Sequence, residues 1–168
     1  MANYVPEALL VLGSLIGGMS LFLQERRVQE IPVAEETPRE SSIGRDCGAI
    51  SLYLICRASG ISSSLEEIRK LTKTSVTGTS MYDIKEAAEQ QGFQSRGTKC
   101  SFEALWDYLS GRGHYAILYF RSGHFDPAVQ IADGKIRIVD TRRLETKDCS
   151  AEELNKMGWD ETALLLQR

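Results

Sequence analysis

The hydrophobic period of this chain changes once, and that change constrains the fold more than any single motif does. Up to residue 109 apolar residues recur at helical spacing, and from residue 115 they alternate with a period of two. Helices first and antiparallel strands after is the α+β pattern, in which a helical half covers a sheet. Asp46 is expected to cap a helix from Cys47 to about Ala58, with Gly60 as its stop. Ile50, Leu52, Tyr53, Leu54, Ile55 and Cys56 make this helix apolar nearly all round, so it is expected to be central and buried. A second helix starts at Ser64, whose capping box is completed by Glu67, and runs through Leu71. Gly78-Thr79-Ser80 opens a third that ends at Gly92, and Ser101 caps a fourth across Leu105, Trp106 and Leu109. In the second half, residues 115–120 read as a strand, and 128–132 and 135–139 flank Asp133-Gly134, a hairpin signal. A short helix from Ser150, with Glu153 closing its box, precedes a last strand at 162–166.

At 168 residues the chain has room for one ordinary domain and a short appendage. A net charge of −3 argues against nucleic acid as a partner, because gripping phosphates needs a basic face. Cys47, Cys56, Cys100 and Cys149 form no CxxC pair and only His114 and His124 could join them, so a zinc site is poorly supported. A core of this size does not need disulfides, and mostly free thiols are expected. The appendage is different in kind. Residues 8–23 carry no charge and lie between Glu7 and Gln24-Glu25-Arg26-Arg27. That run is close to the lower limit of about 17 apolar residues for a spanning helix. It lacks the leading positive charge and small-residue cleavage site of a signal peptide, although export after such cleavage is the alternative. The expected organisation is a single-pass membrane anchor over 1–27, a linker over 28–40 and a folded domain over 41–168. Arg26 and Arg27 would place that domain in the cytoplasm.

Cys47 stands at the first turn of the central helix, where unpaired N–H groups and the helix dipole favour a thiolate. A thiol nucleophile needs a base within reach, and the base needs a third group to fix its tautomer. His124 precedes the hairpin and Asp140 closes its second strand, so they come near each other if the register slips by about three residues. Each residue alone reads equally well as a packed cysteine, a loop histidine or a turn aspartate; only the combination points to thiol chemistry. His114 reads as structural and Cys56 as core, while Cys100 and Cys149 carry no role.

Asp46-Cys47-Gly48-Ala49 at the start of a hydrophobic helix resembles the nucleophile motif of the bacteriocin-processing cysteine peptidases. These are the papain-like, double-glycine leader peptidase domains of peptidase-containing ABC transporters. Gly78-Thr79-Ser80, Ile84, Ala88 and Gly92-Phe93 are similar to the family's substrate-side helix, and Gly123-His124-Phe125 and Ile138-Val139-Asp140 to its base and orienter motifs. The resemblance covers residues 41–168 in a stand-alone form. It implies a papain-like α+β fold, with the nucleophile-bearing helix packed on an antiparallel sheet; the apolar run at 8–23 adds one transmembrane helix before it. It also implies a Cys47, His124, Asp140 triad that cleaves leader peptides after a double glycine. Gly78, Thr79 and Ser80 would contact substrate. No metal or organic cofactor is implied, and a separate ABC transporter would be the partner that uses ATP. A domain that binds leader peptides without cleaving them, or a papain-like acyl transferase or amidase, are the alternatives. Three positions depart from the motifs. The glutamine expected six residues before the cysteine is Ser41, leaving Ser41 and the Cys47 N–H as candidate oxyanion-hole donors. Asp126-Pro127 interrupts the aliphatic run after His124-Phe125, and Thr141 replaces the proline expected after Asp140.

Overall fold

The structure, a computed structural model, describes residues 45–168. The sequence-predicted anchor at 8–23, the linker and Ser41 lie outside the described residues. Among the described residues no helix is long and apolar enough to cross a membrane.

Three helices come first: α1 (Cys47–Ala58), α2 (Leu65–Leu71) and α3 (Met81–Gln90). Their starts follow the expected caps. Ser64 and Glu67 form a complete capping box, and Ser80 accepts from the Asp83 N–H. Asp46 is the exception. It occupies the N-cap position of α1 with its side chain making no cap bond, because that carboxylate is committed to Arg69 of α2. Gly60, at φ 77°, ends α1 as expected: the Ile61 N–H returns to the Cys56 carbonyl.

The strands β1 (Gln94–Lys99), β2 (His114–Phe120), β3 (His124–Ala132), β4 (Lys135–Asp140), β5 (Glu145–Cys149) and β6 (Trp159–Gln167) form one antiparallel sheet in the order β1-β6-β2-β3-β4-β5. Helices α4 (Phe102–Leu109) and α5 (Ala151–Lys156) complete the chain. Alternation along the strands sorts side chains to two cores. Ile117, Phe125, Val139, Leu164 and Leu166 join α1, α2 and α3, whereas Ala116, Leu118, Ile138, Ala163 and Leu165 join Leu105 of α4 and Leu154 of α5. The sheet is therefore covered on both faces, and α1 is as buried as its composition predicts, from Cys47 to Cys56.

Gly48 follows from this packing. A Cβ there would stand 2.3 Å from Thr79 Cγ2 and 2.7 Å from Ile84 Cδ1, so the start of α1 meets α3 only through a glycine. Gly48→Ala is expected to lower stability by about 1–3 kcal/mol by overpacking, despite alanine's higher helix propensity. A thermal melt checks this, and an unchanged melting temperature would mean that Thr79 and Ile84 yield freely.

Candidate active site

The site assembles where the N-terminus of α1 meets the first residues of β3. Cys47 is the first residue of α1. The Asp46 side chain does not consume the N–H groups of the first turn, which remain directed out of the helix end. Two contacts fix the helix: Ser51 Oγ donates to the Phe125 carbonyl of β3 at 3.2 Å, and Asp46 Oδ2 accepts from Arg69 Nε and Nη2 at 3.0 and 2.6 Å. The ion pair places a guanidinium against the carboxylate next to Cys47, offsetting a charge that would oppose a thiolate.

His124 begins β3 and is buried, 7% exposed. Its Nε2 lies 2.8 Å from Asp126 Oδ1. Residues two apart on a strand share a face, so the backbone itself sets this pair. A carboxylate can only accept here, so the proton sits on Nε2 and Nδ1 is left for Cys47. Burial opposes charge on the ring. The Asp126 hydrogen bond and the neighbouring Cys47 outweigh it and push His124 up to about 9. The geometry thus favours a protonated imidazole beside Cys47 through the neutral range.

Asp126 is 2% exposed and well supplied. Its Oδ1 also faces the Thr141 N–H at 2.9 Å and Thr141 Oγ1 at 3.0 Å. Thr141, fully buried, additionally has its hydroxyl 2.9 Å from the Phe125 carbonyl and 3.3 Å from His124 Nε2. Asp140, the orienter read from the sequence, does enter the site. A carboxylate oxygen of Asp140 lies within 4.8 Å of a His124 ring nitrogen and of an Asp126 oxygen. Its hydrogen bond, however, is to the Arg142 N–H at 2.9 Å, in the turn that follows β4. His124, Asp126 and Asp140 are close enough to share a cation, yet His124 Nε2 and Asp126 Oδ1 already satisfy each other.

The remaining candidates divide. Gly78, at φ 99°, turns the chain past the Arg45 carbonyl. Thr79 packs on Gly48 and donates to the Thr72 carbonyl at 2.6 Å, and Ser80 caps α3. All three have structural duties near the start of α1. His114 is far from this chemistry in role: it stacks on Tyr108, and its Nδ1 meets the Tyr108 carbonyl at 2.7 Å. All four cysteines are free, and burial pushes Cys56 up to about 12, which makes it an inert core thiol. Sequence reasoning missed Asp126 because it read Asp126-Pro127 as a break. The signal was the His-x-Asp spacing, which becomes a same-face pair once β3 is extended to His124.

A cysteine at a helix N-terminus, set against a strand-borne histidine whose far nitrogen is held by a carboxylate, on helices packed over an antiparallel sheet, is the papain-like arrangement. The chain belongs to the peptidase C39 family, whose model matches residues 40–168. Among solved structures it is similar to the peptidase domain of Streptococcus ComA, a bi-functional ABC transporter involved in a quorum-sensing pathway. That match has 26% identity and a TM-score of 0.61, over 73% of this chain and 91% of that one. It is also similar in fold to a double-glycine-motif protease from an AMS/PCAT transporter, solved in complex with a leader peptide. There the identity is 19% and the TM-score 0.65, over 82% of this chain and 91% of the other. An uncharacterized protein of Methanothermobacter marburgensis is 28% identical over 109 residues, 64% of this chain and 73% of its own length.

Proposed function

We propose that this protein is a cysteine endopeptidase that cleaves leader peptides after a double glycine. The carrying observation is Cys47 as first residue of α1 beside a buried His124 whose Nε2 lies 2.8 Å from Asp126 Oδ1, surroundings that raise the imidazole. In this reading Cys47 attacks the scissile carbonyl as thiolate, and the oxyanion forms against the Cys47 N–H, with Ser41 as second donor. His124 then gives its proton to the leaving amine, the peptide bond breaks, and a thioester remains on Cys47. Water, deprotonated by His124, hydrolyses that thioester and restores the thiolate. The family motif would carry Asp140 over as third member, although His124 Nε2 is bonded to Asp126 Oδ1 at 2.8 Å. Residues 8–23 would hold the domain at a membrane on its cytoplasmic side, beside a separate ABC transporter that exports the product.

The test is to incubate the full chain, and its Cys47→Ala variant, with a precursor peptide bearing a double-glycine leader. Mass spectrometry should find cleavage after the second glycine with the parent and none with the variant. Binding of the precursor by both proteins without cleavage would instead identify a leader-binding domain that has lost its chemistry.

A further inference from the structure

We propose that Asp126, not Asp140, is the positioning residue of His124, and that Thr141 holds Asp126 in place for that task. The inference rests on the peptidase reading and names which carboxylate serves it.

Four observations converge. Asp126 Oδ1 is the carboxylate oxygen at hydrogen-bond distance from His124 Nε2, whereas Asp140 accepts from the Arg142 N–H. The His124–Asp126 pair lies on one face of one strand, so it is fixed by local geometry, while Asp140 sits at the end of β4, where the chain turns away. The register agrees. β3 and β4 pair as Ala132↔Lys135 and Gln130↔Arg137, then shift at a bulge to Ala128↔Ile138. Continued from there, that register sets Asp140 opposite Asp126 rather than opposite His124. Finally, a buried carboxylate persists only where donors surround it, and Thr141 gives Asp126 its N–H and a hydroxyl shared with the Phe125 carbonyl.

The last point links two features of the sequence. Position 126 interrupts an aliphatic run, and position 141 carries threonine where the resembled motif has proline. Those two positions bond to each other. A proline at 141 would have no N–H to give, and Asp126 would then lose one of its buried donors. The acceptor and its donor are therefore one device built around His124. The ionisable groups that face the ring are Cys47 from α1, Asp126 from β3 and Asp140 from the end of β4.

The deciding experiment compares Asp126→Asn and Asp140→Asn in the full chain. Leader cleavage by Asp126→Asn should fall about 100-fold to 1,000-fold in kcat with KM within about threefold. The alkaline limb of its pH profile should also drop from near 9 by about one pH unit or more. Asp140→Asn should lose less than about tenfold and keep its limb. A second measurement needs neither cleavage nor the Asp126 variant to fold. The ¹⁵N chemical shifts of the His124 imidazole, followed with pH in Asp140→Asn, should still report a proton on Nε2 and titration near 9. Loss of that tautomer, or a fall toward the ordinary histidine range near 6.5, would overturn the proposal and assign the role to Asp140. Absence of cleavage by the parent protein would count against the peptidase reading alone, because the imidazole titration does not depend on it.

Discussion

Replacing His124 with glutamine should cut leader cleavage by about 1,000-fold or more while leaving the fold standing. Glutamine can still offer an N–H toward Asp126 Oδ1, so the buried carboxylate keeps a donor in addition to Thr141. What glutamine cannot do is exchange a proton with Cys47 or the leaving amine. Single-turnover cleavage and a thermal melt of the variant test the two halves separately. A loss of less than about tenfold would mean that the base lies elsewhere.

The same substitution has a consequence for stability. His124 is held up to about 9 in the fold, against an unfolded value near 6.5. The folded protein therefore binds more protons than the unfolded chain between those limits. This contribution is complete below about pH 6.5 and is lost as pH rises through about 9. Parent protein should become easier to unfold with urea across that window, and His124→Gln should lack this component of the slope. Cys47→Ala removes one of the groups that raise the histidine, so its window should narrow from the alkaline side.

How far the fold was legible in the sequence depended on where each residue draws its partners. Helix starts were readable because the cap and its acceptor lie three residues apart, as at Ser64–Glu67 and Ser150–Glu153. The Asp133-Gly134 turn was readable for the same reason: both residues take positive φ, 48° and 74°. The two strands that escaped reading, β1 and β5, are the two edges of the sheet. Gln-Ser-Arg-Gly-Thr-Lys and Glu-Thr-Lys-Asp-Cys are polar because an edge strand gains by being unattractive to other chains, and such a strand looks like a loop. Pro127 misled for a related reason. It forbids a fully paired central strand, but the β4 register begins only at Ala128, so the first part of β3 is paired to β2 on one side. In the site, Cys47 and His124 were legible as types in a motif. The Asp46 side chain was not: a cap bond is local, whereas its actual partner, Arg69, lies 23 positions away.

That long-range pair sets the other large expectation, for Arg69→Met. The Asp46 side chain is 9% exposed and Arg69 28% exposed, so the guanidinium lies at the rim and the carboxylate inside. Removing one partner of such a pair leaves a desolvated charge behind, at a full cost of about 3–5 kcal/mol when both groups are buried. Water can reach the Arg69 side, so the expected loss is about 2–3 kcal/mol in urea-unfolding free energy. Function should fall with it. The uncompensated Asp46 carboxylate adjoins Cys47 and opposes build-up of thiolate charge, so alkylation by iodoacetamide near neutral pH should slow, and leader cleavage should slow in parallel. Methionine preserves much of the aliphatic stem, which separates loss of charge from loss of packing. Asp46→Asn combined with Arg69→Met removes both charges and should recover most of the stability and the alkylation rate, giving a coupling energy of opposite sign to the single losses. If the double variant were as unstable as Arg69→Met alone, Arg69 would act through its packing. The ion pair would then have no part in setting the reactivity of Cys47.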